Sequence, residues 1–343
     1  SDCLTCHGQS DLTMTRDGET ISLFVDEAAY KDSTHSDTAC AQCHTDVTVS
    51  KERACETVEN AVDCSICHAE QVTEYQASTH GTLHAENDPD APSCQDCHAK
   101  HATLDQDDPV SPTYALNVPT LCGSCHRVGE QAATRIDADV DDIVGSYEDS
   151  VHGRGLIQSG LVVTATCADC HGAHSEMPPE NPDSRVNPAN IAGTCGSCHH
   201  GIEEQFRGSV HWTDDPMTDE NKPTCEDCQS SHTIMRTEQV GFRTLMMEQC
   251  GRCHTDEAET FFDTFHGKVS RLGGEGVAKC YDCHGTHGIR SPDDPNSMLS
   301  RDNVVETCGQ CHEGSHRKFA GYLTHATHHD LSLIHISEPT RRH

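Results

Sequence analysis

The sequence predicts a mainly α chain with little regular secondary structure, in which short helices and long loops wrap around buried groups that are not amino acids. Three observations predict this. First, the 343 residues are poor in core-forming side chains: 34% are hydrophobic, and only 7 Phe, 6 Tyr and 1 Trp are present. Ordering each residue costs roughly 1–2 kcal/mol of backbone entropy, which so few apolar side chains offset poorly. Second, the chain holds 23 Cys and 27 His, a density that signals disulfides or bound metals and cofactors. Third, strand signals are weak, and stretches such as DQDDPVSP, PPENPDSRVNP and SPDDPNS read as loops.

Charge narrows the partners. The net charge is −33 with His neutral, which repels nucleic-acid phosphates and favours positively charged proteins. No apolar run is long enough to span a membrane. The chain starts at Ser1 with a motif already at Cys3, so it reads as a fragment whose native start, with any export signal, lies outside it. Residues 331–341 (LSLIHISEPTR) resemble the translation of an adapter used in DNA library preparation, so 331–343 is set aside as a non-native tail.

The cysteine spacing decides between disulfides, zinc and a cofactor. Ten times the chain reads C-x-x-C-H, ending at His7, His44, His68, His98, His126, His171, His199, His254, His284 and His312. This is the c-type haem attachment signature. Cysteines at i and i+3 share one face of a helical turn, where they can add to the two vinyl groups of a porphyrin. The residue at i+4 joins that face, and a histidine there becomes the proximal iron ligand. Paired C-x-x-C units also build zinc sites, but zinc gives no reason for histidine directly after ten of eleven pairs. The predicted thioether residues are Cys3, Cys6, Cys40, Cys43, Cys64, Cys67, Cys94, Cys97, Cys122, Cys125, Cys167, Cys170, Cys195, Cys198, Cys250, Cys253, Cys280, Cys283, Cys308 and Cys311.

The motifs alternate between two kinds. One, often C-x-D-C-H-x-x-H, begins at Cys94, Cys167, Cys225 and Cys280; the other, C-G-x-C-H, begins at Cys122, Cys195, Cys250 and Cys308. Both recur at intervals of 55 to 73 residues. Residues 1–93 therefore form an N-terminal region with three motifs, and 94–330 a run of tandem two-haem repeats. Asn117, Asn190 and Asn303 each precede a C-G-x-C-H motif by five residues, a place where asparagine can cap the helix that carries it.

A second recurrent element is an aromatic residue followed five positions later by histidine, usually with Ser or Thr two before it. It gives His35, His80, His152, His211 and His266, and His325 holds the corresponding place at the end. Residues before it, such as GIEEQF, suit a short helix, which Gly81, Gly153 and Gly267 would end. His101, His174, His232 and His287 stand four residues after a motif's second cysteine. These ten histidines are the predicted distal ligands. With only 7 Met, none in the repeat, methionine ligation is disfavoured. His84, His200, His316, His328 and His329 read as ordinary surface or core histidines, and Cys55 as a structural or free thiol.

One motif departs from the pattern. Cys225 and Cys228 are followed by Gln229, while His232 keeps its place. Three readings stand: an eleventh haem with an unusual or missing proximal ligand, a haem-free pair joined as a disulfide, or a single-base change from a histidine codon.

With these motifs the chain resembles the bis-histidine multihaem c-type cytochromes, and in particular the families of pentahaem and decahaem periplasmic electron carriers. The resemblance covers residues 3 to about 329. It implies haem c as cofactor, haems packed in a chain as the core, and a place in the periplasm or at the cell surface. It further implies electron transfer in anaerobic or extracellular respiration, between a donor such as a quinol-linked cytochrome and an acceptor such as a terminal reductase or an outer-membrane conduit. Two alternatives are a multihaem reductase or oxidase of a small nitrogen or sulfur compound, and a subunit of a polymeric cytochrome wire. The enzyme needs one haem with an open position; no C-x-x-C-K motif marks one, and the carrier is the favoured reading.

Overall fold

The computed structural model describes residues 3–16, 18–48, 62–136, 141–214, 216, 222–274, 276–320 and 325. Cys55, His328, His329 and the tail 331–343 lie outside the described residues. The chain divides into two compact units, Ser1–Asn187 and Pro188–His343. Among the described residues the helices are short, the longest being Phe242–Cys253 with 12 residues, and none is long and apolar enough to cross a membrane.

The first unit opens with helix Leu4–His7 and a β-hairpin of Thr13–Arg16 and Glu19–Ser22, paired antiparallel from Thr13↔Ser22 to Arg16↔Glu19. Gly18 takes φ 89° in its turn, a conformation open to glycine at little cost. The Asp17–Gly18 dipeptide between alternating residues is a hairpin signal that the weak strand signals elsewhere concealed.

Beyond the hairpin, a broken helix recurs. Helix Ala69–Ala77 ends at Ser78, which caps helix Thr79–Ala85; Ser150 likewise joins Ile143–Asp149 to Val151–Ile157 in the first unit, and Thr264 joins Thr255–Asp263 to Phe265–Arg271 in the second. Each hydroxyl accepts the backbone N–H of the glycine three residues on, at 3.1–3.2 Å. The glycines therefore stand in the first turn of a new helix and do not end the old one. The break presses that turn against the preceding helix: a Cβ on Gly81, Gly153 or Gly267 would come within 1.8, 2.0 or 2.1 Å of the carbonyl oxygen of Tyr75, Tyr147 or Phe261. GIEEQF forms the expected helix, within His200–Arg207.

The asparagines also differ from expectation. Asn117 and Asn303 occupy N-cap positions of Val118–His126 and Val304–Gly309, yet neither side chain caps its helix. Asn117 donates instead to the carbonyls of Pro109 and Ser111, at 3.0 and 2.8 Å, and Asn303 to those of Pro295 and Ser297, at 2.9 Å each. They tie down the irregular loop that leads into each motif, where backbone carbonyls lack a ladder of their own.

The apolar core among the described residues is small: Val118, Val144 and Leu156 in the first unit, and Ile191, Ala192, Met247 and Phe261 in the second. The buried polar side chains are mainly hydroxyls, among them Ser78, Ser150, Thr166 and Thr224.

Candidate haem-binding sites

The motif helices of the first kind share one clasp. In Cys94–His98, Cys167–His171, Cys225–Gln229 and Cys280–His284, the carboxylate of Asp96, Asp169, Asp227 or Asp282 accepts the backbone N–H of Ser93, Thr166, Thr224 or Lys279 at 2.7–2.8 Å. The hydroxyls of Ser93, Thr166 and Thr224 donate to the same carboxylates at 2.7–2.9 Å. This is a capping box, with aspartate in the role usually given to glutamate. The hydrogen bond from Ser93 holds the Asp96 carboxyl below its ordinary value. The clasp fixes the single turn that aims both cysteines and the next residue at one place. The D of C-x-D-C-H was legible as a repeat, but its capping role was not read. The earlier helix Cys40–Cys43 has Gln42 there, accepting the Ala39 N–H at 2.8 Å.

The residue after each of these four helices turns to positive φ: Ala99 at 61°, Gly172 at 89°, Ser230 at 62° and Gly285 at 84°. Two are not glycine, which marks local strain at the motif. The reversal separates the two histidines of C-x-x-C-H-x-x-H, so that one short segment serves two sites. His98 faces His174, whereas His101 faces His44.

Ring pairing extends across both units. In the first, His68 faces His35, His44 faces His101, His126 faces His80 and His98 faces His174. In the second, His254 faces His211, His312 faces His266 and His284 faces His325. Every pair joins a predicted proximal to a predicted distal histidine, with ring centres 6.0–6.1 Å apart and interplanar angles from 22° to 74°. The constant distance and varied tilt do not suit stacking. A metal–imidazole bond of about 2 Å on each side, plus a ring radius of roughly 1 Å on each side, gives about 6 Å. The side chains thus fit one iron between two imidazoles, with paired cysteines beside it. Among the described residues no group of three or more His, Cys, Asp and Glu side chains converges as a tetrahedral zinc site requires.

Several forces prepare these rings. Burial lowers the pKa of His98, His101, His126, His211, His266, His284 and His287, and keeps them neutral as an iron ligand must be. Nδ1 of His7 lies 2.9 Å from the Leu23 carbonyl oxygen, an arrangement that leaves Nε2 for a metal. Carboxylates approach Nδ1 of others: Glu176 lies 3.8 Å from His80, Glu74 4.0 Å from His174 and Glu257 3.9 Å from His254.

The two distal elements are also tied to each other. Thr34, Thr79 and Val210, each just before a distal histidine, donate their backbone N–H to the carbonyls of Thr103, Glu176 and Ile289 at 2.8–2.9 Å. Each acceptor stands two residues after the other type of distal histidine, so one hydrogen bond links neighbouring sites. Tyrosine supplies a further tie: the hydroxyls of Tyr30, Tyr75 and Tyr147 donate to the carbonyls of Thr38, Pro92 and Ala165, two residues before the next motif. Sequence reading saw the aromatic residue but not this role.

The remaining predicted residues are placed as follows. His152 lies in helix Val151–Ile157, His171 ends helix Cys167–His171, His199 stands at the N-cap position of His200–Arg207 without a capping side-chain bond, and His232 follows the reversal at Ser230. His325 stands in series with His35 and His80 in sequence but faces His284, a proximal histidine of the first kind. His84 packs 6.2 Å from Tyr75, and exposed His200 lies beside Glu203 and Glu204. Nδ1 of His316 accepts the Phe319 N–H at 3.3 Å. All described cysteines are free of disulfides. Thiols of successive motifs meet: Cys122 with Cys167, Cys195 with Cys225 and Cys250 with Cys280 share hydrogen bonds.

Helix Cys225–Gln229 shares the clasp, the reversal and the thiol contact. Burial pushes the Cys228 thiol up to about 11, as it does the equivalent Cys97. At the proximal position, Gln229 Nε2 lies 3.2 Å from His287 Nε2.

Paired cysteines beside facing histidine pairs are the features of a multihaem c-type cytochrome, and the family comparison supports that class. Residues 9–126, 118 of the 343, match the model of the Class III cytochrome C family. That stretch holds the four motifs ending at His44, His68, His98 and His126, and the same alternation of motifs continues beyond it to His312. No curated protein and no solved structure matches the chain.

Proposed function

We propose that the chain is an electron carrier, with ten haems attached at the ten complete motifs and held between paired histidines. The observation that carries this is the uniform 6.0–6.1 Å separation of seven proximal–distal ring pairs. Two strong nitrogen ligands close both faces of an iron. Such an iron exchanges electrons without binding a substrate, and its potential is set by its ligands and surroundings. The acidic surface and the carboxylates near Nδ1 of His80, His174 and His254 favour the more positive, oxidised iron and lower its potential. His7, His171 and His199, with His152, His232 and His287, complete the ligand set in this reading. The tandem repeats over 94–330 lengthen the haem series.

Class III cytochromes are generally periplasmic or extracellular, and this chain is assigned there, in anaerobic or extracellular respiration. Its partners are redox proteins with basic docking faces, a quinol-linked donor and a terminal reductase or outer-membrane conduit as acceptor. The test is the intact mass of the protein matured with a haem-attachment system, followed by reductive titration. Ten or eleven covalent haems with reversible reduction over a range of potentials are expected. An unmodified chain, or one holding zinc, would overturn the reading.

A further inference from the structure

Among the four helices that share the aspartate clasp, Cys280–His284 differs in charge. In the other three the residue before the first cysteine is Ser93, Thr166 or Thr224, and its hydroxyl joins the clasp. Here that residue is Lys279, which keeps the backbone half of the clasp, its N–H donating to Asp282 at 2.7 Å. Its side chain is buried. Lys279 is 4% exposed, and Nζ donates to the Ser270 hydroxyl and the Gly274 carbonyl, at 2.9 Å each. Both acceptors are neutral, so they solvate the ammonium without cancelling its charge. Burying a lysine is costly, and a hydroxyl in its place suffices for the clasp elsewhere. A second cation adjoins the same helix: Arg243 donates to the Tyr281 hydroxyl at 2.7 Å and to Asp282 at 2.8 Å.

The distal side differs in the same sense. His98 faces His174, and the Glu74 carboxylate lies 4.0 Å from Nδ1 of that distal ring. His284 faces His325, whose Nδ1 lies 3.0 Å from the Glu257 backbone carbonyl oxygen and 3.5 Å from the Thr260 hydroxyl, both neutral. The Lys100 ammonium that acts on Asp96 is exposed, where water and salt screen it. Two sites of one build thus differ in charge on both sides.

We propose that Lys279 makes the haem held by Cys280 and Cys283 an electron sink in the series: its buried ammonium favours the reduced iron and sets this potential above that of the haem at Cys94 and Cys97. This rests on the carrier reading above and adds a direction to it. The residues present suit the group, with both cysteines on one turn and facing rings 6.1 Å apart. Reduction removes one positive charge from an iron, so a cation in a poorly screened place favours it. Burial and local polarity are among the protein's levers on a haem potential.

The experiment is a reductive titration of the haem-loaded protein, beside intact-mass counting, for the native chain, Lys279→Gln, Lys279→Arg, Lys268→Gln and Glu74→Gln. Lys279→Gln keeps a hydrogen-bonding side chain and removes the charge. It should move one haem-equivalent of the curve to lower potential with the haem count unchanged, while Lys279→Arg should hold it in place. Lys279→Thr copies Thr166 and Thr224 and gives the same reading where Lys279→Gln does not mature. Lys268→Gln, which removes an exposed charge from helix Phe265–Arg271, should leave the curve as in the native chain. Glu74→Gln should move a different haem-equivalent upwards, from a lower starting potential. An unmoved curve in Lys279→Gln, or a move to higher potential, would overturn the proposal. So would an equal move in Lys268→Gln or in Lys279→Arg, or a component at Lys279 that starts below the one at Glu74. A chain with no covalent haem would instead refute the carrier reading beneath it.

Discussion

Helix Cys94–His98 and helix Cys225–Gln229 are built alike and differ at the residue that would meet the iron. In both, an aspartate clasps the N-cap residue and the chain reverses through a positive φ, at Ala99 or at Ser230. Glutamine in place of histidine after the second cysteine leaves this local fold the same. The difference teaches that the attachment turn is shaped by its own capping chemistry, and that the iron ligand is a separate element mounted on it. The geometry of a haem site can therefore persist where its ligation has changed.

The strongest way to probe that separation is to damage the scaffold of a distal histidine without touching a ligand. Gly153→Ala brings a Cβ within 2.0 Å of the Tyr147 carbonyl oxygen, and overpacking of this kind costs about 1–3 kcal/mol. Gly193→Ala, in an exposed helical position with nothing within 4 Å, should stabilise by about 0.4–1 kcal/mol. Thermal denaturation of both variants reads the contrast. Equal effects would mean that the broken helix is not a fixed support.

A smaller effect sharpens the comparison itself. Asp96→Ala and Asp227→Ala each remove a capping box, at a cost of about 0.5–2 kcal/mol. If capping alone shapes the turn, the two losses match, whether histidine or glutamine follows. Amide exchange in the two helices measures this. A much larger loss at Asp227 would show that the histidine at 98 supports its helix independently.

The smallest effect lies away from the haem sites. Arg135 reaches Asp88 at 2.6 Å and Asp90 at 3.0 Å, and its hydrogen bond to Asp88 holds that carboxyl down to about 2, from an ordinary value of 3.8. A depressed carboxylate stabilises the fold above its unfolded value and loses that contribution as pH falls through the folded one. The stability difference between the native chain and Arg135→Ala should thus be full above about pH 4 and vanish near pH 2. A difference that grows with acidification would contradict the assignment.

Much of this was legible in the sequence because covalent attachment imposes strict spacing. C-x-x-C-H predicted ten proximal positions, and seven of these histidines face a ring from one of the two predicted distal series. Pairing was not legible, since it depends on the reversals at Ala99, Gly172, Ser230 and Gly285. These send the two histidines of one motif to different sites. His325 shows the limit: its place in sequence grouped it with His35, but it faces His284. The glycine after the distal histidine was read as a helix end because both a stop and a tight start favour glycine. Only the approach of Gly81 to the Tyr75 carbonyl separates the two. Asn117 and Asn303 suited a cap by position, while their hydrogen bonds run backwards to proline and serine carbonyls eight and six residues upstream.

The central claim is that paired imidazoles close both faces of the irons, as the seven facing ring pairs allow. Electron paramagnetic resonance of the fully oxidised, haem-loaded protein tests it most directly. The account predicts low-spin iron at the seven facing pairs. High-spin iron at most of the haems would contradict it.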